Sequence, residues 1–317
     1  MPINLKARHL LTLKNHTPQE IEYLLLLAEE LKRKKRMGVS GKTLLGKNVA
    51  LIFEKPSTRT RCSFVVAVSD EGGHAEYLGK NDIQLGYKED IKDTARVLGR
   101  MFDGIEFRGF SQKAVETLAK YSGVPVWNGL TDEYHPTQVL ADFMTIREHF
   151  GYLKNIKFVY IGDGRNNMAI SLMFGAAKMG LNFIISSPKE LFPDEKYVNE
   201  AIEIANNCKS GAKIEIIESP FEAVKNADVI YTDVWISMGE ENQYKERMKL
   251  LSTYQVNNKL IDAVQNENFI FMHCLPAVKG NEVTEDVFEA DYSKVFDQAE
   301  NRLHTIKAVI VSSIGNI

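Results

Sequence analysis

The sequence predicts an α/β chain made of two doubly wound domains with mainly parallel sheets. Three observations lead there. At 317 residues the chain exceeds the usual size of one domain. Short β-branched runs alternate with helical runs, the pattern of parallel βαβ units. The alternation comes in two series, and a long helical stretch between them puts the join near Ala141 to Tyr152.

The first element is the helix of HTPQEIEYLLLLAEELKRKKRMG. Thr17 suits the N-cap, Pro18 the first helical position, and Glu20 completes a capping box. Ile21, Leu24, Leu25, Ala28 and Leu31 form one apolar stripe. The basic run Lys32 to Arg36 falls in the last turn, where cations suit the helix dipole. Taken alone it would also pass for a nucleic-acid patch, but a formal net charge of −3 supplies no basic field. NVALIFEK is the first strand, and the segment after Ser57 is helical until Gly72 and Gly73 stop it. HAEYLG, GIEFRGF and VPVWNGL follow as short strands, and helical spacing returns from Gln138 to His149. The second series runs through KFVYIGDG, LNFIISS, AKIEIIES, DVIYTDVW and NFIFMHCLP, with helices such as MAISLMFGAAKMG between. AENRLHTIKAVIVSSIG closes the chain as a helix.

Composition bounds the class. A hydrophobic share of 44% is ordinary for a soluble protein. Cys62, Cys208 and Cys274 are odd in number and form no close pair, which fits free thiols in a reducing compartment. The N-terminal stretch lacks the apolar core of a signal peptide, and no apolar run approaches the roughly 18 residues of a membrane span. The expected location is the cytoplasm, with no membrane and no nucleic acid among the partners.

In open parallel sheets ligands bind beyond the carboxyl ends of the strands. Six of the expected strands end in polar clusters: KPSTRTR, FRGF, NGLTDEYHPTQ, GDGRNN, DVWISMGEE and HCLPA. In the first, a strand hands over to a helix, so backbone N–H groups of Thr58 to Thr60 sit at the positive end of a dipole. Ser57 can cap that helix. Capping does not explain Arg59 and Arg61, because cations in a first turn oppose the dipole; a phosphate-like dianion would outweigh that repulsion. The two arginines cannot face the same way, and Arg59 is expected toward the ligand with Arg61 in support. Arg108 ends another strand, and His135 and Gln138 are neighbours at a helix start, suited to hold a carbonyl oxygen and an amide. Taken one at a time, a surface arginine and a capping histidine are sufficient readings.

The second half differs in charge. IGDGRNN invites comparison with the dinucleotide fingerprint and fails it: Asn167 holds the third glycine position, and the next strand ends without an acid for a ribose. Asp233, Ser237, Glu240 and Glu241 suggest a substrate that carries positive charge, although Glu240 and Glu241 also suit a solvated loop. His273 and Cys274 are adjacent on an apparent strand, so their side chains are expected on opposite faces, which argues against a shared metal.

Together FEKPSTRTRCSF, KDTARVLGRMFDGIEFRGF, VPVWNGLTDEYHPTQVLADF, GDGRNNMA, YTDVWISMGE, HCLPA and FDQAENRLHTIKAV resemble the aspartate/ornithine carbamoyltransferase family along essentially the full length. STRTR and HPTQ are shared by the wider family, while DVWISMGE and HCLP point to its ornithine branch. The resemblance implies a carbamoyl-phosphate domain over residues 1–145 and an amino-acid domain over 146–299. It also implies that the last helix, 300–317, returns to the first domain, and that the active site lies in the interdomain cleft. It assigns carbamoyl phosphate to Ser57, Thr58, Arg59, Thr60, Gln84, Arg108, His135, Gln138, Cys274, Leu275 and Arg302, with Gln84 reaching a neighbouring subunit's site. Ornithine falls to Asn167, Asp233, Ser237 and Met238, and the chemistry to Arg108, His135, Cys274 and Asp233. The implied assembly is a trimer or a multiple of trimers. No metal or organic cofactor is expected, because phosphate is already a good leaving group. The alternatives are a carbamoyltransferase for another amine such as putrescine, and a non-catalytic phosphometabolite-binding regulator. The segment between HCLPA and VTEDVFE is brief, where some relatives carry a long insertion.

Because both domains supply substrate contacts in this scheme, closure is required. Solution scattering should show a compact shift with carbamoyl phosphate plus norvaline, an unreactive ornithine mimic; an unchanged profile would refute closure.

Overall fold

Helix α1, Pro18–Arg36, begins as its sequence asks. Thr17 Oγ1 accepts the Glu20 N–H at 3.2 Å, and the Glu20 carboxylate accepts the Thr17 N–H at 2.7 Å. The apolar stripe Ile21, Leu24, Leu25, Ala28 and Leu31 is buried. The computed structural model describes residues 3–83, 89–236, 242 and 244–316. The chain divides into two compact units, residues 1–144 with 300–317, and residues 145–299.

In the first unit β1 (Asn48–Phe53), α2 (Arg59–Asp70), β2 (His74–Gly79), α3 (Ile91–Met101), β3 (Gly104–Arg108), α4 (Gln112–Ser122), β4 (Val126–Leu130) and α5 (Pro136–Phe150) alternate along the chain. Among the described residues the four strands pair in parallel, in the order β2-β1-β3-β4. The second unit continues with β5 (Lys157–Ile161), α6 (Asn167–Met179), β6 (Asn182–Ser186), α7 (Glu195–Cys208) and β7 (Lys213–Ile217). Next come α8 (Pro220–Ala223), β8 (Val229–Thr232), α9 (Tyr244–Leu251), α10 (Asn258–Ile261), β9 (Ile270–His273) and α11 (Glu285–Phe288). Among its described residues five strands pair, also in parallel, in the order β7-β6-β5-β8-β9. The last helix, α12 (Val295–Ile314), carries the chain back into the first unit.

These orders locate the ligand crevices. Strand order reverses between β1 and β3 in the first unit and between β5 and β8 in the second. Crevices form outside the carboxyl ends of such a pair, since the connecting helices leave on opposite faces. Phe53 pairs with Arg108 at one switch point, and Ile161 with Thr232 at the other. The polar clusters of the sequence begin at these positions.

Side-chain alternation decides what faces each crevice. Ala50, Ile52, Ile105 and Phe107 pack against Ala95 and Leu98 of α3 and Val115 and Leu118 of α4. Glu106 and Arg108 therefore take the other face. The second core gathers Val159, Ile161, Ile230 and Phe271 with Leu251, Val256 and Val287.

Helix α12 is held to α1 and α2 by charged groups. Lys32 is buried and bonds Asn301 Oδ1 at 2.7 Å, so the basic run is not a uniformly solvated end. Arg36 meets Glu300 at 3.2 Å, and Lys307 and Lys35 each meet Asp70 at 2.6 Å. His304 is buried, with Nε2 at 3.2 Å from Glu300 Oε1. Burial first, and then the nearby Lys32, lower its pKa to about 4, against the pull of Glu300. Between pH 6.5 and about 4 the unfolded chain binds a proton at this ring that the native ring refuses, so stability rises with pH across that window. Urea midpoints will fall on acidification through it, and His304→Gln will flatten the decline; a variant with the wild-type slope would contradict the assignment.

Candidate functional site

The first-unit site is built on the β1–α2 and β3 ends. Ser57 Oγ accepts the Thr60 N–H at 3.2 Å, while the N-cap residue Thr58 makes no side-chain cap bond. The serine thus caps from one position farther out than a standard N-cap, and it occupies the Thr60 amide that the sequence offers to an anion. Thr60 is buried, and its hydroxyl accepts from two guanidiniums, Arg302 Nη2 at 2.9 Å and Arg108 Nη1 at 3.3 Å. Arg302 Nη1 donates to Gln138 Oε1 at 2.6 Å and lies 3.4 Å from His135 Nε2. Gln138 Nε2 donates onward to Asp142 Oδ1 at 2.8 Å. Arg59 is half-buried, whereas Arg61 is exposed and stacks over the Tyr77 ring at 3.6 Å, a cation–π contact. Lys55, beside the loop, is buried against Asp132 at 2.5 Å and the Phe110 ring at 4.3 Å.

This cluster is cationic, and its histidine is neutral. Burial and the charges of Arg302, Arg108 and Arg59 hold the His135 pKa well below its ordinary value of 6.5. A guanidinium only donates, so Nε2 of His135 is the acceptor and the ring proton belongs on Nδ1, 3.4 Å from Thr137 Oγ1. Such a site presents fixed positive charge and preorganised donors, suited to a phosphoryl dianion.

The second-unit site forms where β8 and β9 end in register, Thr232 beside His273. The next residue of each strand then meets its neighbour: Cys274 Sγ donates to Asp233 Oδ1 at 3.0 Å. Val234 N–H donates to the same oxygen at 2.8 Å. Donor atoms of Asp233, His273 and Cys274 lie within 4.8 Å of one another, so the opposite-face expectation is wrong. Strand β9 ends at His273, and Leu275 takes φ of 59°, so alternation no longer governs Cys274. Both His273 nitrogens are engaged: Nδ1 accepts the Leu275 N–H at 2.9 Å, and Nε2 faces buried Glu282 at 3.2 Å. That leaves neither nitrogen for a cation. The Glu282 carboxylate also accepts from Val278 N–H at 2.5 Å, so the pair fixes the HCLP turn.

Asn167 opens α6, with Asn166 capping through the Met168 N–H at 2.7 Å. Asp163, just upstream, is bound by Arg247 and by Arg165 at 3.4 Å. Burial, with Asp233 and Cys274 adding to it, raises the Tyr160 phenol well above its usual range. Gln84, Ser237 and Met238 lie outside the described residues. The residues that sequence reading did not single out are Glu106, Asp142, Asp163, Arg247 and Glu282. Burial is their common property, and a charged letter inside an apolar run, as in GIEFR, is the signal that marks one of them.

Comparison with known proteins agrees with this layout. Residues 8–148 match the carbamoyl-P binding domain of aspartate/ornithine carbamoyltransferase, and residues 154–313 its Asp/Orn binding domain. The chain belongs to the aspartate/ornithine carbamoyltransferase family. Among curated members, an ornithine carbamoyltransferase of Caldanaerobacter subterraneus subsp. tengcongensis is 58% identical, covering 99% of this chain and 100% of that one. A catabolic ornithine carbamoyltransferase of Bacillus licheniformis is 56% identical, covering 99% and 98%. Among solved family members, ornithine carbamoyltransferase from Pyrococcus furiosus superposes with a TM-score of 0.96 at 48% identity, each chain covered completely.

The neutral state of His135 has a direct readout. Its imidazole resonances will show no titration from about pH 8 to about pH 6, where an unperturbed histidine changes charge. Titration near 6.5 would remove the arginines' influence on the ring.

Proposed function

We propose that the chain transfers the carbamoyl group of carbamoyl phosphate to the δ-amine of L-ornithine, giving L-citrulline and phosphate. The observation that carries this reading is the buried network joining Thr60, Arg108, His135, Gln138 and Arg302 in the first unit. These residues and Ser57, Thr58 and Arg59 hold carbamoyl phosphate. In the second unit Asn167 and Asp233 hold ornithine, with Ser237 and Met238; Cys274 and Leu275 complete the carbamoyl side, and Gln84 is supplied by a neighbouring copy in a homotrimer.

The neutral amine attacks the carbonyl carbon. A new C–N bond forms as the carbonyl π pair moves to oxygen. The tetrahedral species collapses with cleavage of the C–O bond to phosphate, and the proton lost from nitrogen passes to the departing phosphate, which leaves as the hydrogen phosphate dianion. An alkyl amine of pKa about 10.4 requires about 4–5 kcal/mol to reach its neutral form at pH 7. Asp233, paired with Cys274, orients the ammonium and takes part in its deprotonation. Arg108, the Thr60 hydroxyl and His135, through its protonated nitrogen Nδ1, donate to the developing oxyanion, and Arg59 with the α2 N-terminus donates to the phosphate. A neutral imidazole suits this role, since it stabilises the oxyanion without itself transferring a proton. The reaction moves no electrons to a carrier and needs no organic cofactor. The expected compartment is the cytoplasm; no helix among the described residues is long and apolar enough to cross a membrane.

Turnover with ornithine, putrescine and aspartate side by side tests the reading. A colorimetric ureido assay should report product with ornithine far above the other two. Arg59→Ala should lower kcat/KM by at least about tenfold, since a charged hydrogen bond contributes about 1.5–3 kcal/mol. Preference for putrescine would select the alternative amine, and folded protein that binds carbamoyl phosphate without turnover would make the chain a regulator.

A further inference from the structure

Glu106 lies in the middle of β3, two residues before Arg108 and on the same face. It is 0% exposed, yet neither carboxyl oxygen has a hydrogen-bond partner. Buried polar atoms are almost always bonded, so this one calls for an explanation. Gly129 on β4 makes room for it: a Cβ at 129 would stand 1.9 Å from Glu106 Oε1 and 3.1 Å from the Thr60 methyl carbon. The carboxyl and Thr60 thus share the space beside Gly129, and the Thr60 hydroxyl gathers the Arg108 and Arg302 guanidiniums.

Arg108 on β3 and Arg302 on α12 are the charged groups that face Glu106. Neither donates to Glu106, whose oxygens have no hydrogen-bond partner, and both donate to the Thr60 hydroxyl. Its strand partners, Leu51 on β1 and Trp127 on β4, carry no charge. Near by, Arg59 on α2 stays cationic and His135 on α5 stays neutral, so neither changes charge as pH rises above 7. An ionised carboxylate without donors is strongly disfavoured in such a place. Burial accordingly pushes the Glu106 carboxyl well above its usual range, against the two arginines.

We propose that Glu106 is a pH-responsive group built behind the phosphate site and not a ligand contact, carried as the uncharged acid near Arg108 and Arg302, and that its ionisation in alkali cancels their field and releases the dianion. As the neutral acid it leaves both guanidinium charges available to the phosphoryl group. As a carboxylate it competes with that group for the same cations. The inference rests on reading the first unit as the carbamoyl-phosphate half-site.

Calorimetric titration of the full chain with carbamoyl phosphate from about pH 7 to about pH 10, on wild type and Glu106→Gln, tests it. Binding by the wild type at pH 7 checks the half-site reading separately; no binding there would defeat that reading, and this inference with it. The wild type should lose at least about tenfold in affinity toward the alkaline end. E106Q, uncharged and of equal shape, should match wild type at pH 7 and keep that affinity in alkali. At each pH, KM for carbamoyl phosphate should follow the dissociation constant, with kcat at saturation the same in the two proteins. A flat wild-type profile overturns the proposal, as does an equal alkaline loss in both proteins. Folded E106Q that binds about tenfold more weakly at pH 7 also overturns it, because the negative charge would then be what the site needs. Should E106Q not fold, the wild-type infrared spectrum decides. A protonated-carboxyl stretch that vanishes with the same midpoint as binding supports the proposal, and its absence at pH 7 refutes it.

Discussion

The Arg302 guanidinium is 2% exposed and carries a full charge. A buried cation must find acceptors in fixed places, because it has given up water. Here they come from α2 through Thr60 and from α5 through Gln138 and Thr137. Helix α12 must therefore return to the first unit, far along the sequence from the strands it joins. Lys32 to Asn301 and Lys307 to Asp70 secure the same return from the other side of the helix.

That constraint sets the electrostatics of the site. Burial, and then the fixed guanidiniums, keep His135 neutral, and the same arginines share a dry environment with Glu106. The described hydrogen bonds of Arg108 and Arg302 run to Thr60, Thr137 and Gln138, uncharged groups that leave this cluster cationic. The second unit is organised around acids: Asp163 is bound by Arg247 and Arg165, while Asp233 accepts from Cys274 and the Val234 amide. The two units thus suit substrates of opposite charge, as expected for a phosphorylated donor and an amine acceptor.

Much of this was legible beforehand, for identifiable reasons. The capping box of α1 is a local pattern, and it appears at Thr17 and Glu20 as read. Strand ends were visible because β-branched runs stop at polar clusters. In α3 the charged residues Lys92, Asp93, Arg96 and Arg100 alternate with a buried face of Thr94, Ala95 and Leu98 at helical spacing. The last helix starts at Val295, earlier than its apolar spacing suggested. Cys274 lies one residue past the end of β9, where strand alternation no longer sets side-chain direction.

The sequence by itself determined the alternating α/β class, the two series, the capped helix starts and the identity of the polar letters at the strand ends. These depend on neighbours within a few residues, where periodicity and capping operate. Tertiary structure alone decided which of those letters meet. Strand order brought the ends of β1 and β3 together, and the returning α12 delivered Arg302 to Thr60, Gln138 and His135. Whether Glu106 or His135 is charged likewise follows from burial beside groups distant in the chain, and desolvation is a property of the packed fold that no local pattern encodes.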